Sequence, residues 1–418
     1  MRMRFTLSLL LTWAALFGAT LALAQDARQL PANHLLKARP RFLAPAPRGH
    51  HGVAAPGFGN AIPGIDSLSN WNGSFHTPGF DANGKPRDTW FYNMVGNRPE
   101  RGGTTTIAAP VVPVSLDLLN PDGSVFLHYD PKPFILPTLR SPLFQNATYT
   151  SSPTPTQFTD AVQRAEFFST MAPDWHTMLF ASLKQGRTMQ VPSGFYFYSL
   201  NNSGKCCRFV LIDIGEFFNL LFPTDPADTT TPIGAAENAG DITTKDLSTF
   251  LFPNTYLYFN GDPNQCCVVG FHNYDFEPGD ANNGNREKRY VVNYSSWVSP
   301  GLFGTAFVDV TALGHEVAET FNDPFVASDN KHNITPWWLS PNGNCQDGLE
   351  VGDVVEDLPR AEFKVKMNGR TYHPQNEALL PWFAFESPSS AIDGAYSYPD
   401  EKAITALSPV EMPGCPAQ

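Results

Sequence analysis

The chain has 418 residues, of which 42% are hydrophobic and only 16% charged, and its formal net charge is −12. A chain of this size and hydrophobic content can bury a substantial core, which excludes disorder throughout. The negative charge repels phosphate backbones, so nucleic acid is excluded as the expected partner.

The N-terminus has the pattern of a cleavable signal peptide over residues 1–24. Arg2 and Arg4 precede an apolar run from Phe5 to Leu23, and Ala22-Leu23-Ala24 is a small-residue cleavage site before Gln25. We therefore expect a secreted, periplasmic or envelope protein with no membrane span in the mature chain. An uncleaved anchor is the alternative.

Residues 25–104 form a Pro/Gly-rich segment in which we expect an arm or a propeptide, with residues 25–64 as the part that would be removed. Residues 105–418 are expected to form one domain. Alternating apolar patterns and turn residues predict strands over 106–118, 125–129, 189–200, 208–214, 254–259, 267–272 and 289–294. Asn120-Pro121-Asp122-Gly123 predicts a hairpin between the first two.

Helical periodicity predicts helices over 158–170, around 216–221, and from about 310 to 321. The fold class expected from this pattern is α+β, with a mixed, largely antiparallel sheet packed against the third helix and loop-rich Pro/Gly segments.

The six cysteines, Cys206, Cys207, Cys266, Cys267, Cys345 and Cys415, favour disulfide bonds in an exported chain. Six cysteines allow 15 connectivities. We expect the two Cys-Cys pairs to bond to each other and Cys345 to bond to Cys415.

The third helix carries the residues with the clearest chemistry. Its Val310, Leu313, Val317 and Phe321 fall on one face, while His315 and Glu319 fall nearly opposite. Residues four apart on a helix have Cβ atoms about 5 to 6 Å apart, so His315 and Glu319 can share one metal ion. Glu316 lies one step round, in the position of a general base. Asp309 and Thr311 are candidate caps, and Asn322-Asp323-Pro324 is a helix stop.

His315-Glu316-Val317-Ala318-Glu319 resembles the HExxH helix of zincin metallopeptidases, with glutamate in place of the second histidine. The likeness extends over about residues 308–353 and includes Asp323-Pro324, Trp337-Trp338 and the acidic loop Glu350-Val351-Gly352-Asp353. The resemblance to the gluzincin branch implies Glu350 as third metal ligand and Asp353 as the partner that orients His315. His373 is a candidate oxyanion donor or alternative ligand.

The resemblance implies a secreted zinc-dependent metallohydrolase that acts on a peptide or protein substrate, with Glu316 as general base. Two carboxylate ligands cancel the charge of Zn²⁺, which makes bound water less acidic, and their oxygens also suit Mn²⁺ or Ca²⁺.

Several alternatives stay open at this stage. His315, Glu316 and Glu319 could form a solvated helix face, or a structural metal site in a non-catalytic binding or surface protein. A glycosidase is a further alternative, with two carboxylates from the set Glu316, Glu319 and Glu350. Its sugar platforms would be tryptophans such as Trp337, Trp338 and Trp382. His272 is expected to be structural, and Asp275, Glu277 and Asp280 are expected to form a solvated acidic loop rather than a calcium site.

Overall fold

The computed structural model describes residues 26–43, 61–81, 83–151, 154–200, 209–304, 307–326, 329 and 331–408. The predicted signal peptide lies outside these residues. The described strands are β1 (Arg41–Leu43), β2 (Asn70–Phe80), β3 (Pro86–Val95), β4 (Thr104–Leu119), β5 (Val125–Tyr129), β6 (His176–Leu183), β7 (Arg187–Val191), β8 (Tyr196–Ser199), β9 (Phe209–Asp213), β10 (Leu247–Pro253), β11 (Thr255–Phe259), β12 (Asp262–Glu277), β13 (Lys288–Trp297), β14 (Ile334–Leu339), β15 (Cys345–Gly348), β16 (Val365–Met367), β17 (Arg370–Tyr372), β18 (Glu377–Ala378) and β19 (Ser397–Tyr398). The described α-helices are α1 (Lys132–Leu139), α2 (Phe158–Glu166), α3 (Ile214–Leu221), α4 (Pro232–Asn238), α5 (Thr311–Asn322) and α6 (Leu380–Phe383).

One large sheet organises the chain, and the expected mixed α+β class is confirmed. Its strands lie in the order β5-β4-β10-β13-β12-β11-β9-β8, with β1 added to β12 and with β6 and β7 added to β4. The expectation of a largely antiparallel sheet is wrong for this sheet, because six of the ten pairings between its described strands are parallel. Parallel neighbours need long connections, and the chain supplies them, as with α3, α4 and β10 between β9 and β11.

The predicted hairpin is present between β4 and β5. Leu116 pairs with Tyr129 in antiparallel register, and the Gly123 amide donates to the carbonyl of Asn120 over 2.9 Å. Gly123 has φ +82°, a conformation that glycine adopts without a steric penalty. The turn residues were therefore sufficient to locate both strands.

The segment expected to be an arm or propeptide contributes strands to the body of the protein. β2 and β3 form an antiparallel hairpin, and Trp71, Tyr92 and Met94 are buried in the same core cluster as Val317 of α5. Further upstream, β1 pairs with β12, and Leu35 is fully buried. The described part of residues 25–104 is therefore packed against the rest of the chain.

The disulfide expectation needs a correction. Cys266 is bonded to its neighbour Cys267, so neither sulfur is available to Cys206 or Cys207. Cys345 is disulfide-bonded, while Cys206, Cys207 and Cys415 lie outside the described residues.

Helix α5 is buried along its whole length. Its apolar face was predicted correctly, because Val310, which precedes the helix, and Leu313, Val317 and Phe321 all lie in the main core cluster. The opposite face is buried as well, since α5 packs against β12, β13 and β3. The helix begins at Thr311, whose hydroxyl donates to the Val308 carbonyl, and Val310 rather than Asp309 is the N-cap. Both the apolar face and the polar face of α5 therefore lie inside the protein.

No helix in the described part of the chain is both long and apolar enough to cross a bilayer.

A buried carboxyl group at the end of α2 connects two parts of the core. Glu166 accepts a hydrogen bond from the Leu380 amide at 2.7 Å, and its other oxygen has no hydrogen-bond partner among the described residues. Burial raises the pKa of Glu166 to about 8 from its usual 4.5. The folded protein therefore retains a proton that the unfolded chain has already released at neutral pH.

We expect Glu166→Gln to stabilise the protein above pH 5. The raised folded-state pKa means that wild-type stability falls as pH rises from about 4.5 to about 8, whereas a neutral amide has no such dependence. The gain in the free energy of unfolding reaches up to about 4 kcal/mol at pH 8. Urea unfolding at pH 5 and pH 8 measures it, with exposed Glu100→Gln as control. A pH dependence equal in wild type and Glu166→Gln would contradict the assignment.

Candidate metal centre

Helix α5 presents an imidazole and a carboxylate to the same point. His315 and Glu319 are one turn apart, and the His315 Nε2 to Glu319 Oε2 distance is 3.0 Å. The side chain of His315 is fully buried and that of Glu319 is 3% exposed. The expected pairing of these two residues on one face is present, but the face contacts protein rather than solvent.

The backbone fixes the orientation of the Glu319 carboxylate. Its Oε1 accepts hydrogen bonds from the amides of Gly352 at 3.1 Å and Asp353 at 3.2 Å. The other oxygen, Oε2, is thereby directed toward His315. This arrangement holds one oxygen of Glu319 in position as a ligand atom.

Asp353 lies on the ligand side of His315. Its Oδ1 is 3.6 Å from Nε2, the nitrogen that also faces Glu319, and its Oδ2 accepts from the Gln346 amide nitrogen at 2.6 Å. The sequence indicated that Asp353 would orient His315 through the opposite ring nitrogen. The structure instead makes Asp353 the third member of a group whose ligand atoms lie within 4.8 Å of one another, with His315 and Glu319.

Alternating side chains position the acidic loop that contains Asp353. Leu349, Val351, Val354 and Val355 are fully buried in the core, and the Ala378 amide donates to the Val351 carbonyl over 2.8 Å. These apolar anchors leave the carboxylates between them facing the polar centre.

Glu350, the expected third ligand of His315, is placed beside another histidine. Its Oε2 is 3.8 Å from Nε2 of His272, and the two residues form a separate potential metal-binding group with Asp323. Glu350 is therefore part of the centre without belonging to the group around His315.

His272, which the sequence analysis expected to be structural, lies in the candidate centre. It projects from β12 toward α5, is fully buried, and its Nδ1 lies 3.3 Å from Oε2 of Glu316 and 3.5 Å from Oε2 of Glu319. Only the packing of α5 on β12 brings these residues together. The sequence contained one indication. Gly270 lies two residues before His272 and therefore on the same face of the strand, and a glycine within a strand often marks the close approach of another element.

Glu316, the expected general base, is enclosed beside His272. Its Oε1 has no hydrogen-bond partner among the described residues, and a Cβ at Gly270 would lie 2.5 Å from that oxygen. Burial raises the pKa of Glu316 to about 7, although His272 opposes the shift. A carboxyl with a pKa near neutrality can both accept and return a proton at working pH.

His373 lies outside these three groups. Its Nδ1 is 2.8 Å from Oδ2 of Asp309, and its carbonyl accepts a hydrogen bond from the Thr311 hydroxyl. It is paired just before the first turn of α5, and the structure does not bring it together with the other predicted site residues.

Close packing fixes the position of the His315 ring. The Phe42 ring of β1 stacks on it with the centroids 3.3 Å apart and the planes at 11°. A Cβ at Gly352 would lie 2.3 Å from Nδ1 of His315. Nδ1 of His315 has no hydrogen-bond partner within the described ranges, while Nε2 faces Oε2 of Glu319 at 3.0 Å.

The centre concentrates negative charge in a buried space. Burial disfavours the charged form of His315, but Glu319 outweighs it and raises the His315 pKa to about 9. Burial also raises the pKa of Asp353 to about 6 and raises the pKa of Glu350 and of neighbouring Glu377 well above the usual value, with Glu319 adding to each. The surroundings therefore favour protonation of these carboxyl groups, and a bound cation would take the place of the protons.

The other candidate sites show no such convergence. Asp280 caps a short 3-10 turn through the amides of Asn282 and Asn283 and contacts Lys288, as a solvated loop residue would. The expected solvated loop is wrong for Asp275 and Glu277, because both lie in β12 and are buried. Trp338 and Trp382 are fully buried and pack edge to face with centroids 5.5 Å apart. They belong to the core and form no platform for a sugar.

Comparison with protein-family models, curated proteins and solved structures finds no significant match to this chain.

We expect His315→Ala to lower the metal content of the purified protein by about one ion per chain, since it removes the only nitrogen of its ligand group. His373→Ala is the matched control and should leave the metal content unchanged, because its ring pairs with Asp309. Plasma mass spectrometry measures both. Equal losses in the two variants would contradict the assignment of the ligand group.

Gly352→Ala should weaken metal binding about ten- to 100-fold, because the added Cβ meets the His315 ring and displaces the ligand nitrogen. The matched control is Gly186→Ala, whose Cβ makes ordinary contact with the Pro113 carbonyl at 3.5 Å. Competition with a chromophoric chelator gives both affinities. Unchanged affinity in Gly352→Ala would show that ring position does not matter for binding.

Proposed function

We propose that the protein is a metal-dependent hydrolase that acts on peptide bonds, with a divalent ion held by His315, Glu319 and Asp353. One observation carries the proposal: the ligand atoms of His315, Glu319 and Asp353 converge within 4.8 Å of one another in a largely buried space. We also propose that the helix and its ligands are arranged as in zincins. The chain would be exported through the signal peptide and act outside the cytoplasm.

A divalent ion bound there supplies Lewis acidity, which polarises a carbonyl and makes water easier to deprotonate. The side chains do the remaining work. Glu316 accepts the proton of the attacking water on Oε1, the oxygen without a partner, and returns it to the leaving amine. His272 lies 3.3 Å from the other oxygen of Glu316 and keeps the carboxyl oriented.

The ligand group of one nitrogen and two carboxylate oxygens accommodates more than one metal. Zn²⁺ is the first expectation, and Mn²⁺ or Ca²⁺ fit the oxygen-rich set. Asp353 is the most exposed of the three ligands, with 16% of its side chain accessible. The substrate would therefore approach the ion next to Asp353.

A second candidate function is a structural metal site in a non-catalytic protein. The observation that favours it is burial, because His315 and Glu316 are fully buried and Glu319 and Glu350 nearly so. A structural site is closed by protein on all sides, whereas a catalytic site keeps one position open. Removal of the proton acceptor distinguishes the two.

Glu316→Gln should reduce peptide hydrolysis at least about 100-fold while metal content stays at the wild-type value, since the amide keeps the shape but cannot take a proton. Exposed Glu100→Gln is the control and should behave as wild type. Activity on a mixed fluorogenic peptide library and metal content are measured on the same samples. Metal-loaded wild type without hydrolysis, or Glu316→Gln with full activity, would favour the structural site.

A further inference from the structure

The polar centre contains more carboxylates than one ion can balance. Seven described carboxylates lie within it or beside it. Five belong to the three potential metal-binding groups, namely Glu316, Glu319, Asp323, Glu350 and Asp353, and Glu356 and Glu377 interact electrostatically with members of these groups. Two imidazoles, those of His272 and His315, are the only ring ligands of these groups. Buried carboxylates require paired charge or protons, and a single divalent ion supplies only two positive charges.

Two of the three groups share no residue. One consists of His315, Glu319 and Asp353, and the other of His272, Asp323 and Glu350. The third group takes His272 from one and Glu319 from the other, so an ion bound there would compete with the other two groups for these ligands. The arrangement that uses the most ligands is therefore a pair of ions.

His272 is oriented for the second group. Its Nδ1 faces Glu316 at 3.3 Å, which suits a ring N–H that donates to a carboxylate. In that tautomer the Nε2 lone pair faces Glu350, whose Oε2 is 3.8 Å away, and neither Nε2 nor this Oε2 has a hydrogen-bond partner in the described part of the chain. The side chains of His272 and Glu350 are both at least nine-tenths buried.

The other ligand of this group follows directly from the end of α5. Asp323 is 3% exposed, and its backbone amide donates to the Glu319 carbonyl over 2.6 Å. This bond at the C-terminal end of α5 fixes the backbone of Asp323. Glu319 lies between the two groups, since its Oε2 is 3.0 Å from His315 Nε2 and 3.5 Å from His272 Nδ1.

We propose that the protein binds two divalent cations, the second held by His272, Asp323 and Glu350 next to the His315 site. The inference rests on the metal site of the proposed function but does not require hydrolysis. In peptide hydrolysis, two adjacent ions would share the work of polarising the substrate carbonyl and activating the attacking water.

The test is the metal stoichiometry of the purified protein and of variants in each group, by plasma mass spectrometry. We expect about two ions per chain in wild type and about one in Asp323→Asn and in Asp353→Asn. Asp309→Asn is the control and should keep both, because Asp309 is equally buried but pairs with His373. Native mass spectrometry of the wild type alone, with two metal adducts expected, gives a readout that does not depend on the folding of any variant.

One ion in wild type that survives in Asp323→Asn overturns the second site and leaves the proposed function intact. If wild type holds one ion that is lost in Asp323→Asn but kept in Asp353→Asn, the proposed pair is also wrong. The metal site would then be assigned to the His272 group instead. A metal-free wild type, after purification with added Zn²⁺ or Mn²⁺, overturns both the pair and the proposed function.

Discussion

The structure depends on how the negative charge around α5 is balanced. A carboxylate buried without a partner is costly, and several here lie between a fully buried helix and the sheet. The backbone amides of Gly352 and Asp353 stabilise one oxygen of Glu319, and two imidazoles face the other. The remaining carboxylates must hold protons or a cation, so the folding of the core and the occupancy of the centre are linked.

Local sequence patterns predicted the elements well where those patterns were complete. The turn at Asn120-Pro121-Asp122-Gly123 located β4 and β5, and the apolar spacing around α5 identified its core face. The patterns did not predict β2 and β3, because Gly73, Gly79 and Pro86 interrupt the alternation that marks a strand. They could not predict the parallel pairings either, since these depend on contacts between residues far apart in the chain.

In the candidate centre as well, residues close in the sequence could be predicted and residues brought together by packing could not. His315, Glu316 and Glu319 share a helix, so their spacing alone indicated a metal-binding face. His272 lies more than 40 residues upstream, and only the packing of β12 on α5 places it beside Glu316. Glu350 and Asp353 were recognised from the acidic loop, but which of them faces which histidine depends on how Leu349 and Val351 anchor that loop in the core. Such anchoring is a property of three-dimensional packing and has no sequence signature.

The ring stack between Phe42 and His315 has a consequence for how an ion would exchange with the solvent. β1 pairs with β12 directly beside the centre, at Phe42 and Gly270, and the Phe42 side of the imidazole is closed while that pairing lasts. An ion that enters or leaves the folded protein therefore has to pass on the side of Asp353, the more exposed ligand. Separation of β1 from the sheet would open a second route, so the pairing of this short strand would set the rate of metal exchange.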